Sequence, residues 1–264
     1  MEKRLENYTT SGRYTWRRMP QPVIDPPTSY SARSVPAEET RLRLAELALR
    51  VNRTPLAKLV LLDAVQNNSK DPRPYEALGA DALRDGDELI ARERWQQAVD
   101  AGTRNPAIYR ELGRVESRAW FPQFDVYFRL PAEKADRLRG LLLKSIELSP
   151  DQTDGYEMLA WVEAFSPTPG VQNINLVQGR FDKLKQKELT LLAFALVRHR
   201  VGDNPTALEM LGALENAETG GAIRFTVEEL RAKIEGRAAR RIEQGPMQRT
   251  IPMQIRRMEL PGKP

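Results

Sequence analysis

Arginine stands at residues 50, 84 and 118, two successive steps of 34, and again at Arg200. A guanidinium is permanently charged, planar and forked, so it takes a carboxylate through two parallel hydrogen bonds. A row of such groups on one face would hold acidic side chains or the free C-terminus of a peptide, and Arg110 and Arg114 would add to the patch beside Arg118. Catalytic chemistry has much less to work with. The chain of 264 residues contains no cysteine, which removes disulfides, thiol nucleophiles and cysteine-bound zinc or iron–sulfur sites together. His199 is the one histidine, so no second imidazole is present for a metal cluster or a proton relay, and no motif sets a serine or an acid beside it. Glu38/Glu39 and Glu228/Glu229 are carboxylate pairs, but they fit the first turn of a helix, where the dipole favours negative charge. There is no glycine-rich phosphate loop. These residues predict a chain that is not an enzyme and carries neither cofactor nor metal.

The 34-residue step also carries the scaffold that would hold the arginines. The pentapeptides YEALG (75–79) and YRELG (109–113) align Tyr75 with Tyr109, Leu78 with Leu112 and Gly79 with Gly113. Stepping back by the same interval reaches Leu44 and Ala45, and from Ala91, Trp95 and Ala98 it reaches Ala57, Leu61 and Ala64. Two antiparallel helices can approach closely only where small residues such as Gly79, Ala91 and Gly113 meet large ones such as Tyr75 and Trp95. Asp85-Gly86-Asp87 supplies the turn between them, and Asn105-Pro106 reads as the N-cap and first residue of the next helix. The following match, Tyr156, Leu159 and Ala160, comes 47 residues after the last, which is 34 plus 13. The excess falls in AWFPQFDVYFRLP, residues 119–131, where Trp120, Phe121, Phe124 and Tyr127 predict a packed or partner-binding loop. Leu138, Leu141, Leu142 and Ile146 restore helical spacing after it, and a last unit follows with Gly202 in its turn and Ala207 paired with Leu211.

The pattern W-x2-L-G followed by A-x3-F resembles the tetratricopeptide repeat (TPR), here as Tyr75-x2-Leu78-Gly79 and Ala91-x3-Trp95. The resemblance implies an all-α fold, a right-handed superhelical TPR solenoid of antiparallel helix pairs with a capping helix. The pairs are placed at 37–70, 71–104, 105–151 with the insertion 119–131, 152–186 and 187–217, and the cap at 226–244, opened by Thr226 and Glu229 in capping-box spacing. Residues 1–36, with Pro20, Pro22, Pro26, Pro27 and Pro36, read as an extended arm or linker, and 245–264 as a basic tail. In such a stack the first helices line the concave face. With Tyr75 as position four, position thirteen falls on Arg50, Arg84, Arg118 and Arg200, and on Phe165 in the remaining unit. Arg110, Arg114, Trp161 and His199 share that face. The same arginines also suit the last turn of a helix, where they complement the dipole without binding anything. Clamp-type TPRs carry basic and asparagine residues at positions five and nine, where this chain has Glu76 and Ala80.

Three stretches, SGRYTWRRMP (11–20), FDVYFRLP (124–131) and YEMLAWVEAFSP with NLVQ (156–178), resemble the C-terminal TPR half of bacterial peptidase-MA-like proteins. That resemblance implies an accessory region whose catalytic domain lies upstream, since no H-E-x-x-H occurs in this chain. Net charge is +5 with a pI near 9.5, but 41 basic residues against 36 acidic ones is a small excess and a weak argument for nucleic acid. An RNA-binding helical repeat is therefore the third reading, behind a protein-interaction scaffold and an accessory protease region. No stretch has the ~20 apolar residues of a membrane span, and no signal peptide opens the chain. The default compartment is the cytoplasm, or the extracytoplasmic side if the chain is a piece of a longer protein. Protein or peptide partners, including acidic ones, are the expected ligands.

Overall fold

The computed structural model describes residues 34–51, 54–67, 70–118, 125–217 and 221–237. Most of the N-terminal arm, the basic tail, Trp120, Phe121, Phe124 and the side chain of Arg50 lie outside them. The chain divides into two compact units, Met1–Thr40 and Arg41–Pro264. In the first, Thr40 Oγ1 donates to the Pro36 carbonyl at 3.2 Å. The second holds the helix pairs.

All regular structure among the described residues is helical: α1 (Ala37–Arg50), α2 (Thr54–Gln66), α3 (Arg73–Arg84), α4 (Glu88–Asp100), α5 (Pro106–Arg118), α6 (Ala132–Leu148), α7 (Asp154–Phe165), α8 (Val171–Gln178), α9 (Lys187–Arg200), α10 (Asn204–Glu215) and α11 (Gly221–Ile234). A short 3-10 turn, Phe181–Lys183, follows α8. The helix junctions use local chemistry. Gly86 (φ 84°) and Gly202 (φ 85°) turn the chain in the left-handed region that a β-carbon disfavours. The next aspartates cap the following helices: Asp87 accepts from Ile90 N at 3.0 Å and Asp203 from Thr206 N at 3.3 Å. Asn105 caps α5 through Ala107 N at 3.1 Å.

The core is serial. Leu42 and Ala45 of α1, Ala57 and Leu61 of α2 and Leu78 of α3 form one buried cluster. Tyr75, Ala91, Trp95 and Ala98 meet Ile108, Tyr109, Leu112 and Val115 of α5 in a second. The third and largest joins α6 to α11. Each cluster thus takes the first helix of one unit onto the pair before it, the nearest-neighbour logic of a stack. Gly79 lets Trp95 pack against α3, and the indole Nε1 donates to the Glu76 carbonyl at 3.3 Å. The repeat tyrosines latch the incoming loop: Tyr109 donates to the Thr103 carbonyl and Tyr156 to the Pro150 carbonyl, each at 2.9 Å and each six residues back.

The fourth pair is irregular for a physical reason. Glu163 of α7 is fully buried, and its carboxylate accepts from Arg139 Nε (2.7 Å) and Nη2 (3.0 Å), from Gly170 N (2.7 Å) and from Asn173 Nδ2 (2.5 Å). A buried charge survives only when paired and hydrogen-bonded, and here the pairing fixes the loop of Pro167, Pro169 and Gly170 that postpones α8. The cap is placed differently from the sequence expectation. It runs Gly221–Ile234, so Thr226 is not its N-cap but a buried residue inside it. The reason is packing: Ile223, Val227, Leu230 and Ile234 form one apolar stripe against the third cluster, and that stripe begins a turn before Thr226. Gly236, at φ 66°, follows the end of the helix, short of residue 244.

Candidate functional site

Position thirteen does not form a free row of guanidinium groups. Arg84 turns back to Asp81 Oδ1 of its own helix at 3.3 Å. Arg118 pairs with Glu88. Phe165 is buried, and so is most of Arg200. Each described side chain at this position is thus engaged within the fold, Arg84 and Arg118 through ion pairs at the surface.

Position five shows why. Glu76 accepts from Thr103 Oγ1 and from Asn105 Nδ2 (3.0 Å), in the loop that opens the next unit. Arg110 donates to Gln152, in the same loop one unit on, and to Glu111. Glu157 accepts from Lys185 N (2.6 Å) and Gln186 N (3.0 Å), one unit further. The residue that varies most between the two pentapeptides is therefore a strut between neighbouring units. Arg114 is held by Glu111 Oε2 at 2.6 Å, which compensates the charge of the expected basic patch. His199 Nδ1 lies 2.9 Å from Asn204 Oδ1, a brace across the turn from α9 to α10.

Trp161, Phe165 and Arg200 do come together, around a segment of this chain. Residues 125–130 return from the insertion and lie on α7, α9 and α11, the first helices of the last two units and the cap. Val126 and Leu130 are buried and Phe128 is half-buried, whereas Asp125, Tyr127 and Arg129 between them are exposed. The backbone is held as well as the side chains. Arg200 Nη2 donates to the Phe128 carbonyl at 2.7 Å and to that of Val126 at 3.4 Å, and Leu130 N donates to the Phe165 carbonyl at 2.8 Å. The Phe128 ring meets Phe165 edge-on at 5.2 Å, Trp161 lies 5.4 Å from Phe165, and the Arg200 guanidinium sits 5.8 Å over the Phe165 ring. The space left among Val126, Trp161, Phe165, Leu196 and Leu230 is about 10 Å³, so the segment is packed closely against the helices. Lys233 of the cap stands 4.1 Å over the ring of Tyr127, the one insertion aromatic of the predicted patch that is described.

The electrostatics follow from this burial. Desolvation, reinforced by the like charge of Arg129, pushes the Arg200 guanidinium down to about 9, so it remains charged at neutral pH and depends on the two carbonyls for solvation. Burial and the same two arginines lower Lys233, and burial raises Glu229. No group of three or more metal-capable side chains occurs among the described residues, and no described helix is long and apolar enough to cross a membrane.

No family model matches the chain, and no curated protein matches its sequence. Solved structures do match. YrrB, a TPR protein with an unusual peptide-binding site, superposes with a TM-score of 0.51 at 15% identity, over 72% of this chain and 90% of its own. The chain has the tetratricopeptide-repeat fold. Two further TPR proteins align more loosely, below the level at which a shared fold follows. They are TTC0263 of Thermus thermophilus (TM-score 0.39, 17% identity, 74% of this chain and 99% of that one) and one from Parabacteroides merdae (0.44, 13%, 75% and 72%).

Within this TPR stack, sequence reading found Trp161, Phe165 and Arg200 but missed what they hold. A signal was present: Val126, Phe128 and Leu130 alternate with Asp125, Tyr127 and Arg129, which marks a segment with one buried side, here one that begins in a turn at Asp125–Phe128. Glu76, Glu157 and Glu163 gave no such signal, since their partners lie in loops and on other helices that only the fold brings near.

Proposed function

We propose that this TPR chain is a non-catalytic protein-interaction scaffold that accepts polypeptide segments along the face of its first helices. One observation carries the reading. That face already holds a segment of this chain, residues 125–130, which turns at Asp125–Phe128 (Phe128 N to the Asp125 carbonyl, 3.2 Å) and is held by the means a peptide site uses: apolar side chains in contact and carbonyls on a fixed guanidinium. The peptide-binding site for which YrrB is described is consistent with it. In the chain as it stands, the part over α7, α9 and α11 is filled by its own segment, and the part over α3 and α5 is the surface for a partner. Arg84, Arg114 and Arg118 there exchange an internal carboxylate for a partner's, so acidic peptides are the favoured ligands.

The test separates the holding chemistry from covalent connection. In a variant whose residues 121–131 are replaced by a Gly/Ser linker of equal length, the synthetic peptide of residues 121–131 binds saturably, and Arg200→Ala in that background abolishes the binding. A linker variant with unchanged helicity that does not bind the peptide refutes the reading. If the linker variant loses helicity, the readout is the intact chain carrying Arg200→Ala, which should be cleaved by protease within 125–131 faster than the parent. Equal cleavage rates would also refute it.

A further inference from the structure

Among the described residues, α1 leaves one face uncovered. Leu44, Leu47 and Val51 are 59%, 54% and 58% exposed, and their spacing of three and four residues puts them on one stripe of α1 and its end. The repeat register states what this stripe is for. One step of 34 on, the same positions in α3 and its end are Leu78, Asp81 and Asp85. All three meet the preceding helix α2: Leu78 joins the cluster with Ala57 and Leu61, and Lys58 pairs with Asp81 at 2.7 Å and Asp85 at 3.4 Å. The positions of Leu44 and Leu47 are buried in every later unit, as Leu112 and Val115 in α5, Leu159 and Val162 in α7, and Phe194 and Val197 in α9. The α1 stripe is thus the repeat interface, continued to a place where no helix of the described residues covers it.

The repeat register does not extend into the sequence ahead. Stepping back 34 from Leu61 lands on Pro27, among Pro20, Pro22 and Pro26, which a helix interior does not tolerate. Whatever fills the place must present a helix with an apolar stripe, because Asp81 and Asp85 have become Leu47 and Val51 and no longer call for a lysine. A second copy of this chain brings such a stripe in its own α1.

We propose that the chain self-associates through α1, the helix of one copy lying antiparallel on that of the other about a two-fold axis near Leu47. Such a contact is isologous, so the same three side chains serve both copies. Centred on Leu47, the two helices overlap over residues 44–50, about 10 Å of helix in each copy, so the contact is smaller than the ~1,000 Å² of a stable specific interface and belongs to the weak, transient class. The dimer is therefore concentration-dependent, and it leaves the face holding residues 125–130 untouched.

Two measurements on the full chain decide it. In sedimentation equilibrium over roughly 1–300 μM, the mass rises from 30.0 kDa toward twice that value, and Leu47→Glu holds it at 30.0 kDa with unchanged helicity. Because the chain has no cysteine, Leu47→Cys places a single thiol at the axis, and oxidation should give a disulfide-linked dimer there but not from Leu89→Cys on the exposed side of α4. A parent that stays at monomer mass across the range overturns the proposal, whether the thiol of the Leu47→Cys variant reacts quickly with maleimide, as an open face would, or slowly, as one covered by the chain itself would. So does a Leu47→Glu variant that still dimerises, or equal cross-linking at position 89.

Discussion

Gly79 and Gly113 occupy the same place in consecutive units, yet replacing each with alanine should move stability in opposite directions. Both lie in helix interiors, where alanine is favoured over glycine by about 1 kcal/mol on propensity alone. At Gly113 the new β-carbon would lie 3.4 Å from Leu142 Cδ2 and 3.9 Å from Met158 Cε, ordinary contact, so most of the propensity gain is kept. At Gly79 it would lie 2.5 Å from both Cδ1 and Nε1 of Trp95. That indole is buried and tied to the Glu76 carbonyl, so it cannot swing aside without losing its hydrogen bond and opening the cluster around Tyr109. Overpacking of this kind costs about 1–3 kcal/mol. The net expectation is a gain of about 0.5–1 kcal/mol for Gly113→Ala and a loss of up to about 2 kcal/mol for Gly79→Ala. Urea unfolding followed by circular dichroism reads both, provided the slope with denaturant stays constant. Shifts of the same sign for the two variants would refute the reasoning, since it rests on the difference in space behind two glycines of identical register.

Glu163→Gln should destabilise by about 3–5 kcal/mol, because it strands the partly buried Arg139 guanidinium; the double variant with Arg139→Met should be less damaged than that single one, and a chemical-denaturation cycle checks this. Asp71 is held below its ordinary value chiefly by the hydrogen bond from Arg73, so its contribution is present above pH 3.8 and is lost as pH falls from there toward the folded value. Asp71→Asn should flatten the dependence of stability on pH in that acid window, and an unchanged slope would show that the pair does not matter. Lys58, raised chiefly by its bond to Asp81, contributes in the other direction: its share is full below pH 10.5 and lost as pH rises through the folded value, so Lys58→Met should differ least from the parent in strong alkali.

The scaffold was legible because its signals are local and repeated. Tyr75, Gly79, Trp95 and their counterparts carry a period, and a small residue opposite a large one means the same thing wherever it recurs. The site was legible only in part. Trp161, Phe165 and Arg200 followed from the register, but their ligand is a segment that enters from outside the register, and no periodicity points from residue 126 to residue 200. Arg110 misled for the opposite reason. A charged residue on an exposed-looking helix position reads as surface until Gln152, 42 residues on, is folded against it. Thr226 misled because a capping pattern of two residues is weaker than an apolar stripe of four.

The struts at position five bear on how such a protein can change length. A tandem array invites growth and shrinkage by whole units, since each brick has the same outline. Here the mortar differs at three successive joints: an acid meeting a hydroxyl and an amide at Glu76, a base meeting an amide at Arg110, an acid meeting bare peptide nitrogens at Glu157. Excising or transplanting a unit would therefore leave two mismatched seams, and the order of the units is as much a property of this chain as their number.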